Sequence, residues 1–374
     1  MYIWEQKDWP KLIGDCKALS PLLAHVSRAQ GRLLGRMESL GFALRTEAHL
    51  STLTQDVVQS SDIEGEKLEP EQVRSSIARR LGVDIGGSIP ADRNVEGVVE
   101  MMMDATGNYT APLTEDRLFG WHAALFPTGR SGMFKITVGD WRDDANGPMQ
   151  VVSGPVGKQQ IHYEAPPAER LPTEVAAFLR WFESGKDIDP LLAAGLAHLW
   201  FVTLHPFDDG NGRIARAIAD MALARSEGTG QRFYSMSAQI RTERNAYYDI
   251  LKTTQNGPCD VTVWQTWFLN CLLRAIEGAD SIMETVLAKA RFWERFAKAP
   301  LNERQIKVLN RVMDGFEGTL TTSKWAKLGK CSQDTAYRDI LDLIVRGALQ
   351  KEPGGGRSTS YSVILHHAHP TTAI

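Results

Sequence analysis

Cysteine is scarce in this chain: four residues in 374, Cys16, Cys259, Cys271 and Cys331, widely spread and without paired spacing. That excludes a disulfide framework or a paired-cysteine zinc site and fits reduced thiols in a cytosol. Long apolar runs are missing too, since none approaches the roughly 20 residues of a membrane-spanning helix. The opening MYIWEQKDWP lacks the basic-then-apolar order of a secretory leader. Neither sign of charge dominates: 42 Lys and Arg face 45 Asp and Glu, for a formal net charge of −3. No global footprint of polyanion binding follows from that balance. A soluble, cytoplasmic protein with no membrane partner is expected. Length, by contrast, is ample, and 374 residues exceed one helical core and predict two or three domains.

The most informative segment is His205-Pro206-Phe207-Asp208-Asp209-Gly210-Asn211-Gly212-Arg213-Ile214-Ala215-Arg216. Gly210, Asn211 and Gly212 let backbone N–H groups approach phosphate oxygens, and a helix starting there adds the positive end of its dipole. The apolar stretch Leu191 to Leu204 predicts a buried helix before the motif. The spacing of Ile214, Ala217, Ile218, Met221 and Ala222 predicts another after it, over 211–225. Arg213 and Arg216 share a face near the start of that second helix, where a cation opposes the dipole unless an anion is bound. Asp209 is a hard oxygen ligand of the kind Mg²⁺ takes beside phosphates. His205 is the one group in the turn that accepts a proton near neutral pH. These residues describe a site for a nucleoside triphosphate and Mg²⁺.

The same twelve residues resemble the signature of the Fic family, HPFx(D/E)GN(G/K)RxxR, at every fixed position. The resemblance implies a compact, all-α helical domain that transfers AMP from ATP to a hydroxyl side chain of a target protein. It assigns His205 to deprotonating the target hydroxyl and Asp209 to holding Mg²⁺ across the phosphates. Gly210, Asn211 and Gly212 would cradle phosphate, Arg213 and Arg216 would take the β- and γ-phosphates, and Phe207 would anchor the loop. Gly212 stands where the kinase-like Doc branch typically carries lysine, which favours AMP transfer. Such transfer asks mainly for positioning and electrostatic stabilisation.

Three further elements fit that resemblance. Ser60, Glu64 and Gly65 match the family's inhibitory pattern (S/T)xxxE(G/N). A carboxylate paired with Arg216 would occupy the guanidinium meant for the γ-phosphate, and in some relatives the same glutamate aligns a water that removes AMP. Strand-like runs at 149–152 and 160–163 flank the turn residues 153–158, which predicts a β-hairpin. In the family this flap pairs with the target backbone, so Ile161, His162 and Tyr163 are expected to touch the target. Tyr247, Tyr248 and Gln255 resemble the residues that hold the adenine, although aromatics so spaced also serve as core packing.

Along the chain we expect an N-terminal helical region at 1–105, a Fic core at 106–290 and a winged-helix-like domain at 300–366. Helices are predicted over 20–40 and 46–59, the second delivering Glu64. Gly86, Gly87 and Pro90 mark a loop over 82–93. In the last region, helices at 301–313, 322–328 and 332–348 precede a hairpin with Gly354, Gly355, Gly356 and Arg357, the order of a winged helix. Ser332 is a sensible N-cap. DNA binding would place that third helix in the major groove and Arg357 on a phosphate. Asp334 and Asp339 beside Arg338 weigh against it, and protein contact is the favoured use of the module. The competing functions are an adenylyltransferase restrained by Glu64, a nucleotide-responsive DNA-binding regulator, and a transferase of another group. Resemblance also implies a homodimer.

Overall fold

The computed structural model describes residues 1–85, 89–154, 158, 160–184, 187–314, 318–353 and 359–365. The expected hairpin turn at 155–157, the loop glycines Gly86 and Gly87, and Arg357 with its flanking glycines lie outside the described residues.

Among the described residues the chain forms fourteen α-helices and seven short strands. They run α1 (Cys16–Glu38), α2 (Phe42–Ile63), α3 (Pro70–Leu81), α4 (Arg93–Gly107) and α5 (Glu115–Leu125), then β1 (Arg130–Ser131), β2 (Phe134–Lys135), β3 (Gln150–Ser153) and β4 (Gln160–Glu164). Next come α6 (Leu171–Ser184), α7 (Pro190–Leu204), α8 (Asn211–Glu227), α9 (Met236–Thr242), α10 (Arg244–Gln255) and α11 (Thr262–Phe296). Last are α12 (Glu303–Met313), β5 (Leu320–Thr321), α13 (Thr322–Gly329), α14 (Gln333–Val345), β6 (Leu349–Lys351) and β7 (Ser360–Val363). None of the described helices is long and apolar enough to cross a membrane. The chain divides into two compact units, Met1–Arg80 with Ile89–Asp280, and Leu81–Ser88 with Ser281–Ile374.

In the first unit α7 is the centre. Asp189 caps it, Pro190 opens it, and its side chains from Leu191 to Leu204 are almost all buried, as expected of a helix apolar on every side. Helix α8 packs along it, ended by Gly228 in the left-handed conformation at φ 66°. Helix α2 runs past its predicted end to Ile63, and Glu64 is its C-cap. Helices α3, α4, α5, α6 and α9 match no individual helix expected from the sequence.

The second unit has helices α12, α13 and α14 and the antiparallel sheet β5-β7-β6, the winged-helix order. Ser332 caps α14 through Thr335 N as predicted. That helix stops at Val345 rather than Ala348, because Gly347 turns left-handed at φ 71° and leads into β6. Asp339 faces the core, held by Arg304 at 2.6 and 2.8 Å and by the Trp325 indole at 3.1 Å. It is therefore not the surface charge that the sequence suggests.

Candidate nucleotide and transfer site

Helix α7 ends on His205, in the left-handed conformation at φ 49° and ψ 55°. The ring is fixed by Nδ1, which donates to the Val202 carbonyl at 3.1 Å. A carbonyl only accepts, so Nδ1 carries the proton and Nε2 presents its lone pair. Burial lowers the pKa of the ring, opposed in part by that same backbone bond, and His205 is neutral at pH 7.

The loop that follows is tied at each residue. Phe207 is fully buried and stacks on His122 at 4.1 Å with the rings 9° apart. Asn211 spends its side chain on closing the turn, accepting from Phe207 N at 3.0 Å and donating to Phe207 O at 2.7 Å. Only its backbone remains for an anion. Asp208 accepts from Thr137 N at 2.8 Å. Asp209 accepts from Gly210 N at 2.6 Å on Oδ1 and from the Ser131 hydroxyl on Oδ2. Each carboxylate oxygen keeps a second lone pair, so the residue fits a single Mg²⁺ ligand of the kind found beside phosphates. Gly210, at φ 83°, has no side chain to cap α8, and the first N–H groups of a 17-residue helix face the turn.

Both arginines are already paired. Arg216, 1% exposed, meets Glu64 with Nη1 to Oε1 at 2.8 Å. It also donates from Nε to the Ser60 hydroxyl at 2.9 Å and from Nη2 to the Ser60 carbonyl at 2.8 Å. Arg213 reaches Glu66 at 2.5 Å and lies 5.1 Å over the Phe126 ring. Glu66 was not among the residues singled out from sequence. A Schellman turn delivers it: Gly65 N bonds Asp62 O at 3.0 Å and Glu66 N bonds Ser61 O at 3.0 Å, with Gly65 left-handed at φ 85°. Gly212 makes the fit, since a Cβ there would stand 2.2 Å from Glu64 Oε1.

The remaining predicted residues separate. Strands β3 and β4 form the expected hairpin, with a register shift between Val151 and Val152. Ile161 is 49% exposed on it, and His162 Nε2 meets the Ser153 hydroxyl at 2.6 Å. Tyr163 faces the other way: it is 1% exposed and donates to the Thr203 carbonyl at 2.7 Å, so its side chain is an anchor of the flap and not a target contact. Tyr248 is 37% exposed, with its hydroxyl 3.3 Å from the Ile63 carbonyl, beside Glu64. Tyr247 is buried, its hydroxyl 2.9 Å from His198 Nε2. Gln255 is buried as well and points at Val202 O and Thr203 Oγ1, 3.4 Å from each. Neither of those two presents its side chain to solvent as the adenine assignment requires. The exposed amide at that helix end is Asn256, which donates to the His162 carbonyl of the flap at 3.0 Å.

The pattern of the Fic/DOC family matches residues 112–223. The chain therefore carries a Fic/DOC domain over those residues. Residues 2–83 of the chain match a domain of unknown function, DUF4172. The chain is similar to a uridine 5'-monophosphate transferase from Xanthomonas campestris pv. campestris (strain 8004), at 34% identity over 31% of this chain and 22% of that protein. It is also similar to the protein adenylyltransferase Fic of Aedes aegypti, at 24% identity over 65% of this chain and 45% of that one. The chain thus spans less than half the length of these relatives. A crystal structure of a Fic family protein from Desulfovibrio desulfuricans G20 matches 96% of this chain and 99% of its own, with a TM-score of 0.54 at 21% identity. That likeness shows the fold.

Proposed function

We propose that this chain acts as a Fic-type enzyme that transfers AMP from ATP to a hydroxyl side chain of a target protein, under restraint by Glu64. The observation that carries the proposal is the geometry of His205, its Nδ1 bonded to Val202 and its Nε2 without a hydrogen-bond partner among the described residues, one turn before the open end of α8. ATP binding alone requires no such base. In the reaction Nε2 takes the proton of the target hydroxyl as its oxygen attacks the α-phosphorus. The bond from that phosphorus to the β-phosphate bridging oxygen breaks, and pyrophosphate leaves. Backbone N–H groups of Asn211 and Gly212 and the α8 dipole stabilise the phosphate charge, with Gly210 shaping the turn beside them. Asp209 would hold a Mg²⁺ ion, which would supply neutralisation of phosphate charge. Tyr248 supports the adenine side, and the exposed Ile161 with the edge of the flap supports main-chain pairing with the target.

Pairing of Glu64 with Arg216 occupies the γ-phosphate subsite and restrains transfer. The Glu64 side chain is 29% exposed, so it also has access to a water for removing AMP from a modified hydroxyl. DNA binding through α14 is less well supported, because large apolar side chains, Tyr337, Leu341 and Val345, are exposed on that helix.

Intact-protein mass spectrometry after incubation with Mg²⁺ and ATP tests the proposal on wild type, Glu64→Gly, and Glu64→Gly with His205→Ala. An AMP adduct that grows in the single variant and vanishes in the double variant is expected. An adduct formed from UTP and not from ATP would move the assignment to UMP transfer.

A further inference from the structure

We propose that Arg142 is a positioning residue for this transfer: it locks the left-handed turn that presents His205 and ties that turn to the chain leaving the flap. The proposal rests on His205 being the base. Arg142 is 3% exposed and lies outside every motif singled out in the sequence. Its Nε donates to the His205 carbonyl at 2.8 Å, and its backbone N–H to the Pro206 carbonyl at 3.0 Å. The other arms reach the chain after β4. Nη2 donates to the Pro166 carbonyl at 2.6 Å, and Nη1 to Asp144 Oδ1 at 2.7 Å. Asp144 in turn accepts from Ala168 N at 2.6 Å on its second oxygen.

The physical need is plain at the end of α7. The last carbonyls of a helix lack intrahelical donors and form the negative end of its dipole. A non-glycine residue held left-handed is strained and persists only when its surroundings fix it. Two further side chains converge on the same helix end. Tyr163 donates to Thr203 O at 2.7 Å, and the Gln255 amide faces Val202 O at 3.4 Å. Val202 O is also the acceptor that sets the His205 tautomer. Arg142 is the member of this collar that holds the His205 residue itself, and its planar fork serves three oxygens at once, which an ammonium on a flexible stem does not. The charged groups that act on the ring are Arg142, which favours its neutral form, and Glu64 and Asp209, which oppose it.

The test uses the full chain with Glu64→Gly as parent, compared with added Arg142→Lys and added Arg142→Met. Self-modification is followed from acid to neutral pH, and the His205 ring is titrated by NMR with His205→Ala for assignment. For Arg142→Lys we expect kcat to fall roughly 100-fold, as for a misplaced catalytic group, with KM for ATP and the acid limb unchanged. For Arg142→Met we expect the same fall, with both the acid limb and the ring titration moved to higher pH. Unchanged kcat in a folded Arg142→Lys would overturn the proposal. If Arg142→Met fails to fold, Arg142→Lys alone decides. An inactive parent would count against AMP transfer itself. The NMR titration would still judge Arg142, since an unmoved ring in Arg142→Met overturns its role and a raised pKa supports it.

Discussion

Glu66 stands on Arg213 at 2.5 Å while Glu64, two residues earlier, stands on Arg216 at 2.8 Å. One turn at the end of α2 therefore sets two carboxylates on the two guanidinium groups of α8 that the proposed reaction needs for phosphates. Both glutamates are part-exposed, at 34% and 29% of their side chains, so each pair is worth less than a buried one. Removing one charged partner at such a site changes a competing anion's affinity by about 1.5 kcal/mol, or roughly tenfold. Glu64→Gly should tighten ATP binding and raise self-modification by about that factor, and Glu66→Gln should add a further gain. Calorimetric titration with Mg²⁺–ATP checks both. A double variant no tighter than Glu64→Gly would leave Glu66 as an ordinary surface ion pair.

His205 sets the pH dependence of the proposed transfer. Burial lowers its pKa, and the base works only when unprotonated. The acid limb of the Glu64→Gly rate should therefore fall below the ordinary imidazole value of about 6.5. His205→Ala should abolish transfer and leave ATP binding measurable. A limb above that value, or transfer surviving the substitution, would remove His205 as the base.

The twelve-residue motif was legible because its requirements are local. Glycine at 210 answers a left-handed backbone, glycine at 212 a missing Cβ, and a helix start follows directly. What sequence could not give was the direction in which a side chain points. Gln255 is the last residue of α10 and Asn256 its C-cap, and the step between them turns the first into the core and leaves the second exposed. Tyr163 adjoins His162 on a strand whose register shifts at Val151 and Val152, and its ring turns inward. Glu66 gains meaning only from Arg213, 147 residues away, and Arg142 only from the carbonyls it holds. Asp339 looked like surface charge until Arg304 and Trp325 were seen on it.

Acid should destabilise the fold through its buried histidines. Burial pushes His49 and His122 down to about 4 and His198 to about 3. The unfolded chain titrates them near 6.5, so it binds more protons than the native state between those values. Stability from these groups is present above about pH 6.5 and is lost as pH falls toward 4, at up to about 1.4 kcal/mol per histidine per pH unit. Thermal melts should show Tm falling between pH 7 and pH 5. A flat or rising Tm would mean that these rings are not buried neutral.

Phe207 should matter to stability as much as to chemistry. It is fully buried, stacked on His122 and packed near Trp141 at 5.1 Å. Phe207→Ala should cost about 3–5 kcal/mol, read as a lower midpoint in urea. A loss under about 1 kcal/mol would mean that the hydrogen bonds of Asp208, Asp209 and Asn211 hold the loop without it.

The second unit gives the contrast to a DNA reader. Large apolar side chains, Tyr337, Leu341 and Val345, are exposed at four-residue intervals on α14. One face of the helix thus offers little to phosphates, which dominate affinity for duplexes. Arg338 is exposed there but Asp334 accompanies it, and Arg346 is spent on Asp342 at 2.9 Å. Duplex DNA should therefore show no salt-dependent retardation by the full chain in gels. If binding does appear and weakens steeply with salt, Arg338→Ala should lower the slope by about one charge, and α14 would then have to be counted as a nucleic-acid surface.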